Sequence, residues 1–324
     1  MKNDLFSIQS EKQFTKNALH VFKHQFKNNK VYRSFCDLLY VHPSDIIKVE
    51  DIPFLPIQFF KTRKVLSSTE EIQQQFTSSG TTGSTTSKHL VTDITLYKES
   101  YLRGFHHFYG DIQEYVVLAL LPNYLERKGS SLVYMVNDLI QKTKNAESGF
   151  YLNNLDDLAQ KLIKLDRSGQ KILLIGVSFA LLDLVEKYQF NLKNTTIMET
   201  GGMKGRRKEL IRSELHAILS KGFAVKEIHS EYGMTELLSQ GYSKGNGIFE
   251  TPPWMKFLTR DTEDALTILD KGKTGGINVI DLANYNSCSF IATQDLGKVY
   301  NNNTFEIIGR FDNSDIRGCN LMVL

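Results

Sequence analysis

The sequence predicts an α/β protein whose C-terminal portion becomes β-rich and antiparallel. Three observations lead there. Compact apolar runs alternate with helix-length segments from residue 114 onward. After residue 255 the apolar runs become short and are separated by Gly, Asp and Asn. Hydrophobic residues make up 41% of the 324 and aromatics 11%, which is enough apolar surface to build a large core.

In chain order, Phe14, Ala18, Leu19, Phe22 and Phe26 fall at helical spacing and predict an amphipathic helix over roughly 10–29. Pro53 and Pro56 break the apolar patch 52–60, so an irregular connector is expected there. Tyr115 to Leu121 reads as a buried strand closed by Pro122. Ser130 to Ile140 and Leu155 to Leu165 read as helices. Lys171 to Val177 is a second buried strand, and Thr195 to Met198 a short one before Gly201-Gly202. Arg206 to Leu219 is a predicted helix and Ala224 to His229 the strand that follows. Beyond 255, strands are expected at 265–269, 277–282, 290–293 and 305–308. Neither an internal repeat nor a low-complexity linker is present in the sequence.

Bulk properties exclude several function classes. Net charge is +3, and the densest basic run is the short Lys204-Gly205-Arg206-Arg207-Lys208, so nucleic-acid binding has little electrostatic support. Cys36, Cys288 and Cys319 lie far apart with no paired spacing, which argues against a zinc site or disulfide framework. The start carries no secretory pattern and no run is apolar enough for a membrane span, so a cytoplasmic protein with free thiols is expected.

The segment Thr77-Ser78-Ser79-Gly80-Thr81-Thr82-Gly83, followed by Lys88, concentrates hydroxyls, two glycines and a cation. Glycines allow close backbone approach to a polyphosphate, hydroxyls and N–H groups donate, and lysine adds charge. The spacing matches neither a Walker A loop nor a dinucleotide fingerprint. Composition alone reads equally as a surface loop. Downstream, Ser230-Glu231-Tyr232-Gly233-Met234-Thr235-Glu236 supplies an aromatic face, a hydroxyl and a carboxylate suited to a hard divalent cation. A turn capped by Thr235 is the plainer reading. Glu199-Thr200-Gly201-Gly202-Met203 ends a predicted strand, and a simple turn explains it as well. Thr293-Gln294-Asp295-Leu296-Gly297 offers a carboxylate that accepts from vicinal hydroxyls, and Gly309-Arg310-Phe311-Asp312 places a guanidinium near the C-terminal end.

Together and in this order, these motifs resemble those of the adenylate-forming superfamily, which includes acyl-CoA synthetases, luciferases and aryl-acid ligases. The resemblance implies an N-terminal-type body of mainly parallel sheets flanked by helices with a β-rich C-terminal portion. It implies ATP and Mg²⁺ as cofactors. It assigns Thr77 to Gly83 and Lys88 to the phosphates and Gly201, Gly202 and Met203 to the adenine border. Tyr232 and Gly233 fall against the adenine, Thr235 at the α-phosphate, Glu236 at Mg²⁺, Asp295 at the ribose hydroxyls and Arg310 at the ribose or phosphate. The chain is expected to lack the superfamily's usual small C-terminal domain with its late lysine.

That departure, and the segment Leu121 to Leu132, make the chain similar to the LuxE-type acyl-protein synthetases, with residues 1–50 as an N-terminal helical segment and 51–324 as the synthetase domain. The resemblance implies activation of a carboxylic acid, expected to be fatty, then transfer from AMP to Cys319 and on to a partner reductase or other acyl acceptor. Read without it, Cys319 is a small hydrophobe. Two other readings stay open: a coenzyme A ligase of the phenylacetate type, and a non-catalytic nucleotide-binding scaffold subunit. Cys36 and Cys288 are expected to be structural. His229 is either a substrate orienter or a satisfied strand-end residue, and His106-His107 a helix face.

Overall fold

Capping chemistry starts the first elements where the apolar periodicity places them. The computed structural model describes residues 2–78, 86–122, 127, 129–201 and 210–311. Ser10 Oγ accepts from the Gln13 N–H and opens α1 (Glu11–Asn28). Asn29 Oδ1 accepts from the Val31 and Tyr32 N–H groups and opens α2 (Lys30–Leu38). The expected irregular connector at 52–60 is partly ordered. It holds a two-residue strand, β1 (Leu55–Pro56), and a single turn, α3 (Phe59–Thr62). Next come β2 (Gln74–Thr77), β3 (Lys88–Val91), α4 (Ile94–Tyr109) and β4 (Tyr115–Leu120). Then follow α5 (Ser131–Thr143), β5 (Gly149–Phe150), α6 (Leu155–Arg167), β6 (Lys171–Gly176), α7 (Ser178–Lys187), β7 (Thr195–Glu199), α8 (Arg212–Phe223) and β8 (His229–Tyr232). The last described elements are strands: β9 (Gly241–Ser243), β10 (Phe249–Glu250), β11 (Met255–Arg260), β12 (Thr274–Asp281), β13 (Phe290–Val299) and β14 (Phe305–Arg310).

The chain divides into two compact units. One unit combines 1–73, 89–92 and 253–324; the other holds 74–88 and 93–252. In the first unit, β11, β12, β13 and β14 pair antiparallel in sequence order, and β1 joins β13 in parallel. Alternation of apolar residues along β12 and β13 buries Ile277, Val279, Phe290 and Ile291. Helices α1 and α2 close over this core. Phe22 meets Phe290 edge-on, and Tyr32 stacks on the same ring at 6.1 Å. Gln25 bonds the Asn284 carbonyl and both donates to and accepts from Ser289. Asn29 donates to the Ser287 carbonyl at 2.9 Å. These buried amides are fully used, which fixes the first helices to residues 284–290.

In the second unit, β4, β5, β6, β7 and β8 form a parallel sheet in the order β8-β7-β6-β4-β5, and β9 and β10 extend it antiparallel. All six residues of β4 are buried, as a strand covered on both faces requires. Val116, Leu118, Leu120, Ile172, Leu174 and Ile197 pack against Leu158 and Leu162 of α6, Leu181 and Leu184 of α7, and Leu215 and Leu219 of α8. Helix α5 packs on β4.

Three expectations need correction. The strand read at 224–229 begins at His229, because Ala224 takes a left-handed conformation (φ 56°) that terminates α8. That helix starts at Arg212 and runs to Phe223, later than predicted; residues 206–209 of the predicted span lie outside the described ones. The segment 265–269 is not a strand. Asp261 and Asp264 accept from nearby N–H groups and shape it into turns, leaving one bridge between Arg260 and Ile268. No helix of the described residues is long and apolar enough to cross a membrane.

Candidate functional site

A parallel sheet directs its loops to one edge, so residues that leave the carboxyl ends of neighbouring strands come together. In the second unit, β7 and β8 pair with Glu199 opposite Ser230. Gly201 therefore leaves one strand beside the point where Tyr232 leaves the next. Gly201 takes φ +73°, a conformation that favours glycine. Tyr232 is buried and meets Phe249 edge-on at 6.1 Å. Beyond it, Gly233 to Glu236 run into a turn with no helix after it. Gly233 is exposed, Thr235 half-buried and the Glu236 side chain buried.

Beneath this edge lies a charge cluster that the motif reading left without a role. Glu199 accepts from the Gly201 N–H at 2.7 Å and from Ser178 Oγ at 3.3 Å. It pairs with Arg212 at 3.6 Å and with His216 at 3.5 Å, and His216 also reaches Ser230 Oγ at 3.3 Å. Burial opposes its ionisation, but His216, Arg212, Ser230 and the Gly201 N–H outweigh burial and hold its carboxyl at about 2. Its neighbour Glu231 is the reverse case. Burial, with the Glu199 charge adding to it, pushes the Glu231 carboxyl up to about 8. One carboxylate is ionised and the other neutral on adjacent strands, which limits the negative charge at this edge. The i, i+4 spacing of Arg212 and His216 on α8 was the available signal for this cluster; the buried position of Glu199 was not visible in the sequence.

The neck of the Ser/Thr/Gly loop is closed by its own hydroxyl chemistry. Thr77 N–H donates to the Gly129 carbonyl at 2.8 Å. Ser78 N–H donates to the Ser87 carbonyl, and Ser87 N–H donates to Ser78 Oγ at 2.9 Å. Lys88 opens β3 with an exposed side chain. Ser79, Gly80, Thr81, Thr82, Gly83, Gly202, Met203 and Cys319 lie outside the described residues.

The first unit holds the remaining pair. Asp295 and Arg310 face each other across β13 and β14, and Arg310 Nε donates to Asp295 Oδ1 at 3.1 Å. Asp295 is buried while the Arg310 side chain is exposed, so the guanidinium reaches the carboxylate from the solvent side.

The remaining histidines and cysteines differ in their surroundings. His229 Nδ1 lies 3.1 Å from the Tyr109 hydroxyl; burial, then nearby Lys244, lower its pKa to about 4, so its ring is neutral near neutrality. His106 and His107 sit exposed in the last turn of α4. Cys36 and Cys288 are fully buried, and burial pushes the Cys36 thiol up to about 12 and the Cys288 thiol further. Among the described residues no group of three His, Cys, Asp or Glu side chains is arranged to hold a metal.

The LuxE acyl-protein synthetase family model matches residues 4–324. The long-chain-fatty-acid–luciferin-component ligase of Vibrio harveyi is 25% identical over 342 residues, covering 98% of this chain and 89% of that protein. The ligase of the same name from Aliivibrio fischeri is 24% identical, covering 93% and 85%. Among solved structures, 2-hydroxyisobutyryl-CoA ligase with its acyl-AMP and CoA superposes with a TM-score of 0.67 at 12% identity, over 94% of this chain and 70% of the other. ATP-bound MatB from Rhodopseudomonas palustris superposes with a TM-score of 0.54 at 17% identity, over 75% of this chain; the match spans about half (49%) of the MatB chain. By the extent of the family match, the chain belongs to the LuxE acyl-protein synthetases, ligases built on the adenylate-forming fold.

Proposed function

We propose that this protein activates a long-chain carboxylic acid with ATP and passes the acyl group to a protein thiol. The observation that carries the reading is the carboxyl edge of the second unit's sheet, where Gly201 and the Tyr232–Glu236 turn leave adjacent parallel strands. The names of the two ligase relatives support a fatty acid as substrate.

In the first step the substrate carboxylate attacks the α-phosphorus of ATP, the bond to the β-phosphate oxygen breaks, and pyrophosphate leaves. The residues' part is positioning and charge neutralisation. Residues 77–83 and Lys88 take the outer phosphates, Tyr232 and Gly201 border the adenine, and Thr235 donates to the α-phosphate. Asp295 accepts from the ribose hydroxyls, with Arg310 fixing its carboxylate. Mg²⁺ is a hard cation that commonly takes only one or two protein carboxylates beside substrate phosphates. A single buried carboxylate at Glu236 fits that donor set, and the ion, when bound, neutralises phosphate charge.

In the second step a thiolate attacks the acyl carbonyl and the bond to AMP breaks. Cys319 is the assigned acceptor, and a reductase or another acyl-accepting protein receives the group next. The other two cysteines are poor nucleophiles where burial holds their protons on.

Incubation with ATP, Mg²⁺ and a radiolabelled long-chain fatty acid tests the thiol step. The parent takes up covalent label that hydroxylamine removes, while Cys319→Ser releases pyrophosphate without retaining label. Equal labelling of the two proteins sinks the Cys319 assignment. AMP release that depends on added coenzyme A moves the acceptor to that thiol.

A further inference from the structure

Arg260 is the least explained charge of the first unit. It is the last residue of β11 and stands opposite Gly276 of β12. Its guanidinium does not turn to solvent but crosses β12 toward β13. Nη1 donates to the Ile277 carbonyl at 2.7 Å and to Asn278 Oδ1 at 2.9 Å, and Nη2 donates to the Thr293 carbonyl at 2.6 Å.

The contacts converge on an irregularity. The pairing of β12 with β13 shifts between Gly276 and Asn278, which takes Ile277 out of the regular register. Its carbonyl is taken by Arg260 and by Thr293 Oγ1, which donates at 2.9 Å. The same Thr293 hydroxyl accepts from the Asp295 N–H at 3.1 Å. One guanidinium is thus joined, through one carbonyl and one hydroxyl, to the backbone of the carboxylate assigned to the ribose. Phe311 lies 5.8 Å from the guanidinium, and its N–H donates to the Gln294 carbonyl at 2.7 Å. The residue after Arg310 is therefore held to the same bulge.

Gly276 makes room for this arrangement. A Cβ there would lie 2.6 Å from the Arg260 Cζ and 2.9 Å from Nε and Nη2. Any side chain at 276 forces the guanidinium out of its place.

We infer that Arg260, seated over Gly276, is the positioning residue that presents Asp295 to the nucleotide ribose. It touches no substrate; it sets the bulge from which Asp295 projects. A lysine cannot replace it, because an ammonium on a flexible stem does not span three acceptors in a plane. The inference rests on the reading that Asp295 accepts the ribose hydroxyls.

The test compares binding of ATP and 2′,3′-dideoxy-ATP by calorimetry in the parent, Arg260→Lys, Gly276→Ala and Asp295→Ala, each first shown to be folded by circular dichroism. The parent is expected to prefer ATP by about tenfold or more, the scale of a charge-assisted hydrogen bond. All three variants should bring that ratio toward one while binding of the dideoxy compound changes little. Non-specific damage would weaken both nucleotides alike and leave the ratio intact. If Asp295→Ala loses the preference while Arg260→Lys and Gly276→Ala keep it, the inference about Arg260 is overturned and the ribose reading stands. A parent with no preference overturns both.

Discussion

Replacement of Glu199 by glutamine isolates the charge of a residue that touches five partners beneath the sheet edge. The glutamine keeps the size and an acceptor for the Gly201 N–H but cannot answer Arg212 or His216. The folded carboxyl ionises at about 2 against an ordinary 4.5. That difference stabilises the fold by roughly 3 kcal/mol at neutral pH. Because the folded value is the lower one, the contribution is fully present above 4.5 and is lost as pH falls through 2. At pH 3 somewhat under half of it remains. Urea unfolding of parent and Glu199→Gln, followed by circular dichroism from pH 7 to pH 3, reads the gap directly. The gap should be about 3 kcal/mol at pH 7 and shrink by roughly half toward pH 3. A gap that is the same at both ends, or absent at pH 7, refutes the assignment of an ionised, charge-paired Glu199.

Lys88→Ala should lower the rate of pyrophosphate release about a hundredfold with the circular dichroism spectrum unchanged, since the side chain is exposed in the fold and is proposed to meet the phosphates. His229→Gln should leave the pH dependence of kcat/KM between 5 and 8 unaltered, because His229 is neutral throughout that range; loss of an ionisation near 6 to 7 would assign it an active role. Cys36 and Cys288 should resist maleimide in the native protein and react once it is unfolded. Native labelling of a Cys319→Ser protein would contradict their burial.

Much of the fold was legible because its signals are local. Phe14, Phe22 and Phe26 mark α1 by period alone, and the apolar runs at 115–121 and 171–177 are too short for helices and too continuous for exposed strands. What was hidden depends on partners far along the chain. Helix α2 has only Tyr32 and Cys36 fully buried and is fixed by the Asn29 cap. Helix α7 follows β6 with no side-chain cap to announce it. Strand β8 starts late because Ala224 adopts a conformation that its residue type does not advertise. The placement of the first fifty residues against 284–290 rests on Gln25 and Asn29, two amides that composition reads as surface.

The candidate site shows the same division. Tyr232, Glu236, Asp295 and Arg310 were proposed from motif order, which needs no three-dimensional information. The buried charges in the same two units were not. Glu199 lay within a quoted motif without a role, and Arg260 belonged to no motif at all. Both act through burial and through contacts to residues 13 to 33 positions away, and neither property has a short-range signature.

Acid-dependent release of pyrophosphate from ATP and Mg²⁺, measured across fatty acids of increasing length and a set of aryl acids, tests the central claim most directly. The account predicts release with long-chain fatty acids, little with aryl acids, and loss of the signal in Glu236→Gln. ATP binding with no release for any acid would contradict it and leave a nucleotide-binding scaffold.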